Sequence, residues 1–278
     1  MSAIETIING LEQGQIIPYL GSAVLELVPG GSPVAASPEA LVAELTAKVS
    51  VPFKVRKQLT GSAQFIENFK HRKTIVKLMD ESFAASVPPT ALQSYLATLG
   101  LPLIVSTWYD NSMENAMQGQ SSWGIAQGLS QSEHFGEWYG WYHPDGSLAS
   151  AADADSWKTL LYHPIGAISP AHNYLVSDSD YVEVLTEIDI QTPIPEKVKA
   201  IRSGRHFLFL GCSFKSQLER TFARQIMKRS SDKHWAVISG ELSRNEKRFL
   251  EEQNITPIDM KLADFAELLL QKQPAVAA

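Results

Sequence analysis

The chain has 278 residues, 44% of them hydrophobic and 19% charged, with a formal net charge of -6. That length buries a sizeable core as one large domain or a domain with an insertion, and the acidic balance argues against nucleic acid as a partner, because neutralising phosphates takes a basic surface. A single cysteine, Cys212, excludes an intrachain disulfide and a four-cysteine zinc site.

No leading apolar stretch of signal-peptide type and no apolar run of bilayer length is present, so a cytoplasmic protein with no membrane partner is expected. The most basic run, Lys70-His71-Arg72-Lys73, reads as a solvated helix face.

In chain order, Ser2 and Glu5 make a capping box ahead of Ile4, Ile7, Ile8 and Leu11 at helical spacing, and Gly14 suits the position just past that helix. Residues 15–20 read as a buried strand ending at Gly21-Ser22, although Pro18 removes a ladder donor. Residues 28–38 form a loop over this first turn, and Ser37-Pro38 starts a helix. Helical spacing continues to residue 100 through Phe65, Ile66 and Phe69, then Ile75, Val76 and Met79, then Leu92, Tyr95, Leu96 and Leu99. A helical layer therefore separates the first two strands.

Residues 103–114 (LIVSTWYDNSME) switch from strand to helix, with Asp110 placed to cap the helix and Met113 and Met117 facing inward. Five of the six tryptophans fall between 108 and 157, and residues 135–148 alternate like a hairpin about His143-Pro144-Asp145-Gly146. Packing beneath an insertion is the ordinary use of such aromatics; stacking on a ligand base is the alternative. From Leu160 the chain alternates strands and helices: 160–166, 172–177, a helix from Asp178 capped by Ser177, helix 195–203, strand 206–210, helix 216–229, strand 234–239, a Ser243/Glu246 capping box, helix 244–253, strand 255–259 and a last helix from 262. Such alternation gives a Rossmann-like, doubly wound α/β fold with a mostly parallel sheet, whose ligands bind at the carboxyl edge.

Phosphate-loop, GxGxxG, HExxH and GxSxG signatures are absent, which disfavours nucleoside triphosphatases and hydride-transfer dehydrogenases. Four strand edges remain. Tyr19-Leu20-Gly21-Ser22-Ala23 offers backbone amides to a phosphate. Ser106-Thr107-Trp108-Tyr109-Asp110 brings a hydroxyl and an acid. Leu161-Tyr162-His163-Pro164 brings the best general-base candidate, since an imidazole titrates near neutrality. Phe209-Leu210-Gly211-Cys212-Ser213 allows close approach of a ribose or adenine.

In this order the four edges resemble the Sir2-like family, and its prokaryotic NAD-hydrolase branch more than its deacetylases. The family's G-A-G-x-S loop corresponds to Gly21-Ser22-Ala23, its T-N-[YF]-D to Thr107-Trp108-Tyr109-Asp110, its K-L-H-G to Leu161-Tyr162-His163-Pro164, and its T-x-x-D-Y to Ser177-Asp178-Ser179-Asp180-Tyr181. Its late F-L-G-x-S is intact at 209–213. The resemblance covers about 15–266 of one expected domain over 1–273, whose residue patterns give a helical insertion at 35–100, a small aromatic-rich insertion at 119–160 and a disordered tail at 274–278. It implies NAD as substrate or ligand and no metal, with Gly21, Ser22, Thr107, Trp108, Gly211 and Ser213 on the nucleotide, His163 as base and Asp110 beside the ribose. Cleavage of the nicotinamide–ribose bond, in antiviral defence, is one implied function. A catalytically inactive nucleotide-binding or protein-interaction module is the other, because tryptophan replaces the family's asparagine at 108, alanine a loop glycine at 23 and proline a glycine at 164. A homo-oligomer and a protein partner stay open, as does an unrelated α/β protein whose glycines are ordinary turns.

Overall fold

The computed structural model describes residues 2–188, 190 and 192–271. Its first half runs α1 (Ala3–Glu12), β1 (Ile16–Leu20), a 3-10 turn (Ser22–Leu27), α2 (Pro38–Lys48), α3 (Leu59–Lys70), α4 (Arg72–Phe83), α5 (Ala91–Thr98), β2 (Leu103–Ser106) and α6 (Ser112–Met117). Next come β3 (Trp123–Gly128), β4 (Tyr139–Tyr142), β5 (Leu148–Ala149), α7 (Ala151–Ser156), β6 (Thr159–His163), β7 (Gly166–Ala167), β8 (Asn173–Tyr174) and α8 (Asp178–Ile188). The last part is α9 (Glu196–Arg202), β9 (His206–Leu210), α10 (Gln217–Met227), β10 (His234–Ile238), α11 (Arg244–Glu252), β11 (Ile255–Asp259) and α12 (Leu262–Gln271). The tail expected to be disordered lies outside the described residues.

Nine strands form one sheet in the order β11-β10-β9-β1-β2-β6-β3-β4-β5, parallel as far as β3 and antiparallel beyond it. This is the expected Rossmann-like α/β architecture. The chain builds outward from β1 to β2 on one side and returns to β9 on the other, so β1 and β9 mark the topological switch where such sheets take ligands. Pro18 is tolerated in β1 because ladder amides alternate in direction. That of Gly21 bonds Leu210 toward β9, which turns position 18 toward β2, where pairing starts only at Tyr19 with Val105.

Alternation along the strands divides the core between two sheet faces. Ile17, Tyr19, Val105, Tyr162 and Phe209 meet Leu41, Ile66, Ile75 and Met79 of α2, α3 and α4. Ile16, Leu20, Ile104, Leu161 and Leu210 meet Ile7, Leu92, Met113 and Phe265 of α1, α5, α6 and α12. The helical layer between the first two strands thus splits, three helices on one face and α5 on the other. Phe69, expected inside, is 66% exposed and leans on Phe65, with ring centroids 4.4 Å apart.

The segment 119–160 differs from the expected insertion. Its β3 is a strand of the main sheet, paired to β6, and the hairpin β4–β5 extends the edge. A Cβ on Gly124 would lie 2.4 Å from the Trp157 ring, and one on Gly128 2.4 Å from the Pro164 carbonyl. Close approach therefore dictates glycines that hide this strand from an apolar-run search. The strand expected at 172–177 shortens to Asn173-Tyr174, paired with β7 in a separate two-stranded sheet.

Arg72 is a second departure. It sits on no solvated face; its guanidinium bonds Asp180, Glu133 and the Tyr174 carbonyl. The Asp180 side chain, fully enclosed, also accepts from the amides of Val176 and Ser177 and from the hydroxyls of Ser177 and Ser130. Burial works against the charge on Arg72, but Asp180, Glu133 and Glu67 outweigh it and hold the guanidinium above its usual range. Removing one partner of a buried pair leaves the other uncompensated. Asp180→Ala is expected to lower stability by about 3–5 kcal/mol, read as a lower urea midpoint.

At the opposite end of the strands, the His234 ring joins β9 to β10. Its Nδ1 accepts from the Phe207 amide at 2.9 Å and its Nε2 lies 2.9 Å from the Ser231 carbonyl, which fixes the neutral Nε2–H tautomer. Burial pushes its pKa down to about 4. A base held low in the fold contributes stability above its unfolded value near 6.5 and loses it as pH falls toward the folded value. Stability is expected to drop by up to about 3 kcal/mol between pH 6.5 and 4, a drop that His234→Gln reduces in a urea series.

Candidate functional site

Four neighbouring strands, β9, β1, β2 and β6, deliver the sequence-predicted residues to one carboxyl edge. At the switch point the two glycine turns pack on each other. The Gly21 amide donates to the Leu210 carbonyl at 2.9 Å, the Ala23 amide to the Gly211 carbonyl at 3.1 Å and the Val24 amide to the Gly21 carbonyl at 3.2 Å. A Cβ on Gly21 would stand 2.3 Å from the Gly211 oxygen, and Gly211, at φ +65°, would drive one to 2.6 Å from the Val24 nitrogen. Close mutual approach and a left-handed turn explain both glycines. The amides of Gly21 and Ala23, expected to face a phosphate, are spent on this contact, and that of Val24 closes the first turn on Gly21. Half-buried Ser22 opens the 3-10 turn, and the Ser213 hydroxyl accepts from the Lys215 amide. Between them the Cys212 thiol donates to the Tyr19 carbonyl, and burial pushes its pKa up, so it stays a thiol.

At the end of β2, Thr107 donates through both amide and hydroxyl to the Leu20 carbonyl, at 2.8 and 2.9 Å, and ties the β1 and β2 edges together. Trp108 turns to the α2–α4 face. It is buried, its indole N–H donates to the Ala35 carbonyl at 2.7 Å, and its ring meets Phe83 and Tyr109. The loop at 28–37 is thereby fastened to the sheet edge. Val28, Val34 and Ala35 of that loop enter the same core.

Asp110 and His163 come together on the other face, with a third group the sequence reading missed. His163 closes β6 with 0% of its surface exposed, and its Nε2 stands 3.3 Å from Glu114 Oε1 in the first turn of α6. Neither ring nitrogen and neither Glu114 oxygen has a hydrogen-bond partner. Asp110, expected to cap α6, lies one residue before its N-cap Asn111 and accepts from the Ser112 amide, the first of the helix, at 2.8 Å. Burial holds its carboxyl above the usual range; the Ser112 contacts and His163 pull the other way, while Glu114 pushes with burial. Spacing could have revealed Glu114, because carboxylates at 110 and 114 fall on one side of a helical turn. Buried titratable groups gathered at a sheet edge are a functional-site signal, and two carboxylates beside an imidazole can orient a base or steady a developing positive charge.

Among the described residues no group of three or more His, Cys, Asp or Glu side chains could hold a metal ion, and no helix is long and apolar enough to cross a membrane. The raised Asp110 value gives a signed prediction. Ionising this group costs stability; the cost is absent below the unfolded value near 4 and grows above it. Asp110→Asn, which keeps the acceptor for Ser112, is expected to be more stable than wild type at pH 7. In urea titrations the gap should close toward about pH 4.

Comparison with curated proteins finds no match. A family model described as SIR2-like domain matches residues 102–258, a stretch that runs from β2 through the Trp108 turn, the His163 edge and the Gly211 turn to β11. It spans more than half of the chain, which therefore belongs to the SIR2-like domain family.

Proposed function

We propose that the chain binds NAD, or its ADP-ribose portion, at the carboxyl edge of β9, β1 and β2, and that it does not cleave the nicotinamide–ribose bond. Family membership supports the nucleotide. Ser22 and Ser213 supply hydroxyls on either side of the switch point. The observation that carries the second half is Trp108. Where the family resemblance puts an asparagine, an indole has one donor and no acceptor, and here the donor is committed to Ala35. The ring fills core space beside Phe83 and Tyr109, so no amide is available there to orient water or a ribose hydroxyl.

A second reading, an NAD glycohydrolase of prokaryotic antiviral defence, is favoured by the gathering of His163, Glu114 and Asp110. Bond cleavage would pass through an oxocarbenium-like state; carboxylates would stabilise its charge and an imidazole would activate the attacking water. Both readings belong to a protein without a bilayer-long apolar helix among its described residues.

Calorimetry and product analysis on the wild type separate the readings. Saturable binding of NAD and ADP-ribose with no nicotinamide released is expected. Nicotinamide release would establish the glycohydrolase, and absence of binding would leave a protein-interaction role. Trp108→Asn tests the cause: NAD loss that appears only in the variant puts the block at this ring.

A further inference from the structure

We propose that Glu114 is the positioning residue of His163: its carboxylate accepts the Nε2–H, so that in the neutral ring Nδ1 is the unprotonated nitrogen. The argument is one of satisfaction. Both side chains are buried, and their four polar side-chain atoms lack hydrogen-bond partners, yet Nε2 and Oε1 stand only 3.3 Å apart. Leaving such groups unpaired in a core costs far more than aligning them. An ionised carboxylate only accepts, so the ring nitrogen that faces it must carry hydrogen, whether the imidazole is neutral or charged. Catalytic hydrogen bonds are commonly loose in ligand-free proteins and tighten on binding.

Neighbouring groups leave Glu114 as the partner. Gln127, beside His163 in the β3–β6 register, spends its amide on the Ala167 and Asn173 carbonyls and its oxygen on the Ala171 amide. Asp110 is bound to Ser112. From α5, Gln93 bonds Ser112 and closes that side of α6. Glu114 is thus held by α6, which the Gln93–Ser112 contact fixes against α5, while His163 is held by the sheet. The pair spans the two.

The inference rests on the proposed function in one respect only: that Trp108, and not a lost base, is what blocks cleavage. Long-range proton–nitrogen spectra of protein labelled with nitrogen-15 histidine test it directly, with His163 assigned by His163→Gln and the Nε2–H ring of His234 as internal reference. A protonated Nε2 on His163 is expected, and Glu114→Gln, whose amide can donate to Nε2, should reduce that protonation. An unprotonated Nε2 in the wild type, or a Glu114→Gln spectrum identical to it, overturns the proposal. Should Glu114→Gln fail to fold, the wild-type spectrum alone decides.

The second arm uses Trp108→Asn. If that variant cleaves NAD, adding Glu114→Gln is expected to lower kcat about tenfold or more with KM unchanged, and unchanged kcat overturns the positioning role. A Trp108→Asn protein that stays inactive while the spectra behave as expected sinks the account of Trp108 and leaves Glu114 in place. Failure of the one is therefore distinguishable from failure of the other.

Discussion

One enclosed carboxylate, that of Asp180, organises the face of the sheet against which Trp108 packs. It is reached by Arg72 from α4, Ser130 from the loop after β3, and the residues that lead into α8. A buried ion pair adds little net stability, because desolvation consumes what attraction returns. Its effect is on geometry. With both charges already out of water, each arrangement that separates them is penalised, so α4, α8 and the turn after β8 settle in one position. The Tyr109 hydroxyl then bonds the Leu175 carbonyl within that turn, and Trp108 beside it is held against Phe83 at the end of α4.

Much of this could be read from the sequence where local chemistry decides. The capping boxes at Ser2 and Ser243, the left-handed Gly14 and the late strands and helices stand where spacing put them. What could not be read depends on partners far away in sequence. Gly124 and Gly128 belong to a strand because Trp157 and the Pro164 carbonyl leave no room for a side chain, a constraint invisible in residues 119–128 alone. Arg72 lies in a basic run, and only the fold brings Asp180 and Glu133 to it.

The candidate site shows the same division. Gly21 and Gly211 were expected beside a phosphate and a ribose or adenine; the partner each meets in the fold is the other turn. Thr107, expected on the nucleotide, also bonds the Leu20 carbonyl. Asp110 and His163 do approach each other, through a third residue that the four-edge pattern did not include. Trp108 lies on the opposite face of the sheet from that cluster. On the proposed reading, the Trp108 substitution removes the amide that would orient water or a ribose hydroxyl and leaves the His163–Glu114 pair on the other face intact.

The most direct test follows backbone amide signals while NAD is titrated into the wild-type protein. The account predicts saturable shifts at Gly21 to Val24, Thr107 and Gly211 to Ser213, the ends of β1, β2 and β9. Shifts confined to the opposite end of the strands, around His234, or no saturable shifts at all, would contradict it.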